Sequence, residues 1–302
     1  MSAIKKVAVI GASGNLGPAI VQELLAAGFS VTALSRASST ATFPDSIAVA
    51  KVDLGSLESV KAALEGQDAV VSVVATASAG QQQVLVDAAV AAKVRRFIPS
   101  EFGINTRIVA GTPIGSILGG KVASVDYLDS KAKENPWFSW SAFSTGFFFD
   151  WGLAANTLGI DLATKTATVV DSGNEKWQSS NLPHIGKAVA AALKNPEKTA
   201  NKYLLSASFN VSQNDIIKTT EELTGIKFTI NRLDSKQLQQ LGEDKLSKGD
   251  YSAFRELVRV WNYADGADHA LKPEDSVDEL LGVPGDDLTA SIKAWLTKAG
   301  AL

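Results

Sequence analysis

Through the first half of the chain, short apolar runs alternate with stretches whose apolar residues recur every three or four positions. The runs predict buried strands, and the recurrent stretches predict helices packed on them by one face. Residues 7–10 predict a strand ended by glycines. Residues 18–27 predict a helix, with Pro18 suited to its first turn and Gly28 to its C-terminal stop. Strands are expected at 30–34 and 47–52, then a helix at 57–64 with Ser56 as its N-cap. Residues 69–74 form an unbroken apolar strand pattern, followed by a helix at 81–92, a strand at 95–98, a helix at 116–133 and a strand at 137–143.

Unbroken apolar strands separated by helices imply a parallel sheet buried on both faces. Right-handed crossovers then give a doubly wound α/β fold. The alternation weakens after about residue 155. Helices at 188–193 and 215–223 and a strand at 202–205 suggest a smaller α+β region there. The expected organisation is residues 1–155 as the doubly wound unit and 156–302 as a smaller substrate-binding region, some segments of which return to the large sheet.

Composition narrows the chemistry. The 302 residues include no Cys and two His, His184 and His269, which are far apart and lack metal-ligand spacing. Thiolate chemistry is excluded, and no metal site is expected. A net charge of −3 argues against a nucleic-acid-binding face. No segment reaches the ~20 apolar residues that span a bilayer, and the N-terminus has no signal-peptide layout. A cytoplasmic protein with no membrane partner is expected, acting as a monomer or a homodimer.

The strongest motif is Gly11-Ala12-Ser13-Gly14-Asn15-Leu16-Gly17, between a predicted strand and a predicted helix. That context gives the glycines meaning: a tight turn, close approach to a pyrophosphate, and close packing of helix on sheet. Free N–H groups at the helix start would hold the phosphates, as in a Rossmann-type dinucleotide site. The second strand ends in Ser35-Arg36-Ala37-Ser38-Ser39, without the acid that would meet an NAD ribose hydroxyl. Arg36 suits a 2′-phosphate instead, so the expected cofactor is NADP(H). Asp53 and Leu54, after the third strand, fall where the adenine would rest. Ala75 and Thr76 close the fourth strand at the ligand-binding edge.

The glycine loop, Arg36, Arg96-Phe97-Ile98-Pro99-Ser100-Glu101-Phe102-Gly103, Lys121 and Ser144-Thr145-Gly146-Phe147-Phe148-Phe149-Asp150-Trp151 carry a resemblance. Segments 185–190 and 201–203 extend it over nearly the whole chain. The sequence resembles the NmrA-like branch of atypical short-chain dehydrogenases, close to the isoflavone reductase-like reductases and similar to their fungal members. The resemblance implies an NADPH-dependent reductase with one catalytic Lys and a conjugated aromatic substrate, such as an isoflavone or a phenylpropanoid. It also implies Phe147 against the nicotinamide. The wider branch includes quinone reductases and non-enzymatic redox sensors, and both remain alternatives here.

Two lysines compete for the catalytic role. Tyr127 and Lys131 match the Tyr-x-x-x-Lys pattern of ordinary short-chain dehydrogenases. Lys131 lies too close to the next strand, whereas Lys121 leaves room for most of a helix. Ile117 stands in the Tyr position before Lys121 and transfers no proton. Lys121 is therefore the expected catalytic residue, touching the cofactor as well. Eight aromatics crowd between Trp137 and Trp151. Phe148, Phe149 and Trp151 are candidates for the substrate wall, with Trp177, Phe254, Trp261 and Tyr263 reaching it from the smaller region. Structural hydrogen bonding is expected for Ser100 and Glu101, and a helix-terminal role for His184.

Overall fold

A computed structural model describes residues 3–75 and 82–302. The alternation read from the sequence is present as β1 (Lys6–Ile10), α1 (Gly17–Ala26), β2 (Ser30–Arg36), β3 (Ala48–Val52), α2 (Leu57–Leu64), β4 (Ala69–Ser72), α3 (Gln82–Ala91), β5 (Arg96–Ile98), α4 (Pro113–Glu134) and β6 (Ser139–Ser144). Local chemistry sets the boundaries. The Thr112 hydroxyl accepts from the Gly115 N–H at 3.1 Å, and Pro113 occupies the first turn, so α4 starts before the apolar repeat that first marks it. The strand expected at 137–143 begins only at Ser139, because the Phe138 N–H closes a turn onto the Asn135 carbonyl.

Beyond β6 come β7 (Phe147–Phe148), α5 (Phe149–Ala154), β8 (Ile160–Asp161), β9 (Thr166–Val170), β10 (Trp177–Ser180), α6 (Leu182–Lys194), α7 (Pro196–Thr199) and β11 (Lys202–Leu205). The chain ends through β12 (Phe209–Val211), α8 (Gln213–Thr224), β13 (Thr229–Leu233), α9 (Ser235–Ser247), α10 (Phe254–Tyr263), α11 (Asp278–Leu281) and α12 (Leu288–Lys298).

Among the described residues, the large sheet has seven strands in the order β11-β6-β5-β4-β1-β2-β3. Every pairing in it is parallel. The protein therefore has the doubly wound α/β architecture, with two smaller three-stranded sheets, β12-β10-β7 and β13-β9-β8. The seventh strand of the large sheet, β11, returns to it from beyond residue 155 and pairs with β6. The sheet is buried from both sides. α1 and α6 cover one face with Ile20, Leu24, Ile185 and Val189, while α2, α3 and α4 cover the other with Leu64, Val86, Val125 and Leu128. A separate core built on Phe149, Val169, Trp177, Ile217 and Trp295 holds the later elements together. A fourth cluster packs the first half of α4, through Ile114 and Leu118, against Leu257 and Val258 of α10. No described helix is long and apolar enough to cross a membrane.

The winding reverses direction at β1. From β1 the chain moves out to β2 and β3, then crosses back to β4 on the other side. Ligands of such sheets bind at this switch point, outside the carboxyl ends of the strands.

Candidate active site

The glycine loop leaves β1 at the switch point. Gly11 has φ +85°, and a Cβ on it would lie 2.6 Å from the Val73 carbonyl oxygen beyond β4. A Cβ on Gly17 would lie 2.4 Å from the carbonyl oxygens of both Gly11 and Ala12. Only glycine allows this loop to fold so tightly beneath the start of α1. Gly14, Ser13 and Asn15 are exposed, and the Gly14 N–H closes the turn onto Gly11 at 2.9 Å. Leu16, the N-cap of α1, offers no side-chain cap, and the first turn has no acid. The N–H groups that this helix start retains, on Gly17 and Ala19 beside Pro18, thus meet no side-chain cap and carry positive dipole, as an anion site requires. The Leu16 side chain lies in the core, so only its backbone belongs to this cradle.

Because the strands are parallel, the other expected residues collect at the same edge. Arg36 ends β2 opposite Val52, the last residue of β3. It is exposed, and its guanidinium has no hydrogen bond or ion pair among the described residues. Asp53 follows Val52, and its Oδ1 accepts from the Gly55 N–H at 3.0 Å. Leu54 is half-buried, and Ala75 is exposed beyond the end of β4. Thr76 lies outside the described residues. A free guanidinium beside an uncapped helix start and a glycine cradle fits a phosphorylated dinucleotide. Among the described residues, no His, Cys, Asp and Glu group could hold a metal ion.

Lys121 reaches this edge from α4. It stands in an apolar stripe of that helix formed by Ile114, Leu118, Val125, Leu128 and Ala132, and it is 8% exposed. A Lys at a core-facing position of a 3-4 repeat is itself a sequence signal, because Lys is seldom buried without a partner. Its Nζ donates to the Glu101 main-chain carbonyl, just past β5, at 2.7 Å. Burial lowers its pKa, and the Glu101 carboxylate opposes that shift.

The rival pair lies elsewhere on α4. The Tyr127 hydroxyl donates to Asp87 of α3 at 2.6 Å, and Lys131 Nζ lies 3.3 Å from the same carboxylate. Burial and Asp87 raise the Tyr127 pKa, the reverse of what a proton-donating Tyr needs. These two side chains tie α4 to α3.

The aromatics divide. Phe147 is half-buried at the start of β7, with its ring edge-on to Tyr263 at 5.7 Å and near Trp177 at 6.5 Å. Phe148 and Trp151 are also half-buried. Phe149 and Trp177 depart from the substrate wall expected of them: both are fully buried. Phe149 packs edge-on to Phe209 at 4.8 Å, and Trp177 packs on Tyr263 at 4.5 Å. The pairing of β7 with β10 turns these rings into the second core. His184 is likewise buried, 2.9 Å from the Ser206 hydroxyl and 3.6 Å from Asp278. From the first turn of α6, the helix-terminal place expected of it, it ties that helix to the segment after β11.

Sequence reasoning missed the surroundings of Glu101. Its Oε2 accepts from Thr106 Oγ1 at 2.5 Å and from the Tyr203 hydroxyl at 3.0 Å. Tyr203 arrives on β11, about a hundred residues away in the chain, so no local pattern announces the contact. Ser100 behaves as expected, its hydroxyl donating to the Val74 carbonyl at 2.6 Å.

Sheet order, glycine cradle and free Arg36 together define a dinucleotide-binding protein of the doubly wound class. The NmrA-like family model matches residues 3–288, and the chain belongs to that family. It is 38% identical to oxidoreductase aprR of Aspergillus flavus over 298 residues, covering 95% of this chain and 98% of aprR. It is 29% identical to the isoflavone reductase homolog IRL of Zea mays, over 74% of this chain and 75% of that protein. Among solved structures, the leucoanthocyanidin reductase–NADPH complex of Vitis vinifera superposes with a TM-score of 0.80 at 18% identity, covering 97% of this chain and 99% of that one. AtPrR2 with NADP+ and (+)pinoresinol superposes with a TM-score of 0.79 at 20% identity, covering 98% and 100%. At these identities the superpositions establish the fold.

Proposed function

We propose that this protein is an NADPH-dependent reductase acting on a conjugated aromatic small molecule of isoflavone, phenylpropanoid or enone type, with Lys121 as the general acid. The chain is an NADP(H)-dependent oxidoreductase; the substrate class and the role of Lys121 are the proposal. The observation that carries it is the buried Lys121 ammonium, held by the Glu101 carbonyl at the edge where the glycine cradle opens. A protein that only bound the cofactor would have no use for so costly a group.

The glycine loop and the start of α1 hold the pyrophosphate, and Arg36 holds the 2′-phosphate through its fork of donors. When bound, NADPH supplies the reducing equivalent for an electrophilic carbon of the substrate. Phe147 would line the nicotinamide side of the site and help to exclude water. Lys121 stabilises negative charge developing on the substrate oxygen and donates a proton to the reduced product, a role worth ~10²–10⁴-fold. The family's named relatives support the substrate class, among them a phenylcoumaran benzylic ether reductase of Populus trichocarpa at 27% identity.

Cofactor oxidation, followed by absorbance with a panel of isoflavones, phenylpropanoid dimers, other enones and quinones, tests this reading. Turnover of aromatic enones with NADPH and little with NADH is expected. Tight NADP+ binding without turnover of any compound would instead establish a sensor. Turnover confined to quinones and indifferent to Lys121→Met would establish a quinone reductase.

A further inference from the structure

Glu101 presents two features that the reduction as described does not use. Its side chain is 2% exposed, and while Oε2 accepts two hydrogen bonds, Oε1 has no partner among the described residues. A buried carboxylate oxygen left unpaired is costly and calls for a reason. The same residue gives its main-chain carbonyl to Lys121 Nζ. One residue thus fixes the ammonium through its backbone and sets a carboxylate in the ammonium's field. The turn that arranges this is held from outside. Phe102 has φ +38°, uncommon for a non-glycine residue, and its carbonyl accepts from Thr145 Oγ1 at 3.1 Å.

We propose that Glu101 is a positioning residue whose buried carboxylate sets the charge of Lys121, with Thr106 and Tyr203 holding that carboxylate in place. It rests on the reading of Lys121 as proton donor. The physics is compensation. Burial alone drives an ammonium toward its neutral form by up to ~3–5 pH units, and an opposite charge nearby restores about 1–3 of them. Burial lowers the Lys121 pKa against the pull of Glu101, and burial raises the Glu101 pKa against the pull of Lys121. The other groups that face Glu101 favour its charged form. Thr106 and Tyr203 donate to it, and Arg107 acts from the turn before α4. Tyr203, whose pKa is pushed up by burial and by Glu101, stays a neutral donor throughout. Arg107 is already paired with Asp126 at 2.8 Å, which leaves Lys121 as the main countercharge.

The test titrates Lys121 directly by carbon NMR of side-chain-labelled lysines in the cofactor-free protein, with the resonance assigned through Lys121→Arg. In Glu101→Gln the Lys121 midpoint is expected to fall by about one pH unit or more. Tyr203→Phe removes a donor that favours the carboxylate, and a smaller fall in the same direction is expected. The alkaline limb of the kcat profile should move with the midpoint. An unmoved Lys121 midpoint in folded Glu101→Gln overturns the proposal whatever happens to turnover. Should Glu101→Gln not fold, an unmoved midpoint in Tyr203→Phe overturns it. Full turnover in Lys121→Met removes the general-acid role alone and leaves the titration result standing.

Discussion

Replacing Gly17 and Gly14 separately by Ala should separate two jobs of one loop. At Gly17 the new methyl would lie 2.4 Å from three backbone atoms of Gly11 and Ala12, about 1 Å inside ordinary contact. None of these is the flexible end of a side chain, so the start of α1 must shift. Neighbouring Ile20 and Leu24 are fully buried and resist the shift. Overpacking of this kind costs about 1–3 kcal/mol. For a chain of 302 residues, a cost of about 2 kcal/mol lowers Tm by about 3 °C. The same shift moves the N–H groups that hold the pyrophosphate, so NADP(H) affinity should fall at least about tenfold. At Gly14 the nearest atom to the new methyl is the Gly11 carbonyl oxygen at 3.3 Å, and the next lies at 4.0 Å. Little need move, so Tm should stay within about 1 °C, because exposed sites are usually neutral. The methyl would nonetheless fill the surface over which the pyrophosphate passes, and affinity should fall comparably. Differential scanning fluorimetry and NADP+ titration of both variants check this. Equal affinity for NADP+ in wild type and Gly14→Ala would refute the loop as a phosphate cradle.

Further perturbations address other groups. Arg36→Gln removes an exposed guanidinium that has no partner among the described residues, so Tm should not change. NADPH affinity should weaken about 10- to 100-fold with NADH unaffected, as expected for loss of a charge-assisted phosphate contact; competition titrations at fixed salt measure it. Tyr127→Phe removes the hydrogen bond to Asp87 at a cost of about 1 kcal/mol, and kcat should stay within about twofold of wild type in steady-state assays. Burial pushes the Asp278 carboxyl up, but nearby His184 and hydrogen bonds from Ser206, Ala207 and Ser276 outweigh it and hold the pKa below the ordinary 3.8. The charged form therefore stabilises the fold at neutral pH, and this contribution is lost as pH falls from about 3.8 through the lower folded value. Asp278→Asn should cost about 1–3 kcal/mol at pH 7, and the gap to wild type should close at the acid end of urea unfolding curves recorded against pH.

The sequence made the first half of the fold legible because its central strands, β1, β4, β5 and β6, are buried on both faces and so read as largely apolar runs. Ala69–Ser72 shows this, every residue being buried. The same logic fails for β13, Thr229–Leu233, an edge strand whose residues are mostly exposed and whose pattern has no apolar face. The pairing of β11 with β6 in the large sheet has no local signal, since parallel pairing across some sixty residues leaves no local trace. Of the candidate site, the glycine loop, Arg36 and Lys121, the last by its spacing to the next strand, are expectations drawn from contiguous segments, and they stand along one edge of the large sheet. The surroundings of Glu101 could not, because Thr106 and Tyr203 meet it from different elements. The aromatic run after β6 misled for a physical reason. Its side chains pack on different cores, Phe148 against the one beneath α1 and α6 and Phe149 within the second, so these adjacent rings have different burial.

The most direct measurement compares wild type with Lys121→Met, using NADPH and an aromatic enone substrate under saturating conditions, with NADP+ affinity measured alongside. A fall in kcat of at least about a hundredfold, with NADP+ affinity changed less than about fivefold, is expected of a lysine that acts on the reacting atoms. Turnover by Lys121→Met at the wild-type rate would contradict the general-acid role and leave a dinucleotide-binding protein whose chemistry lies elsewhere.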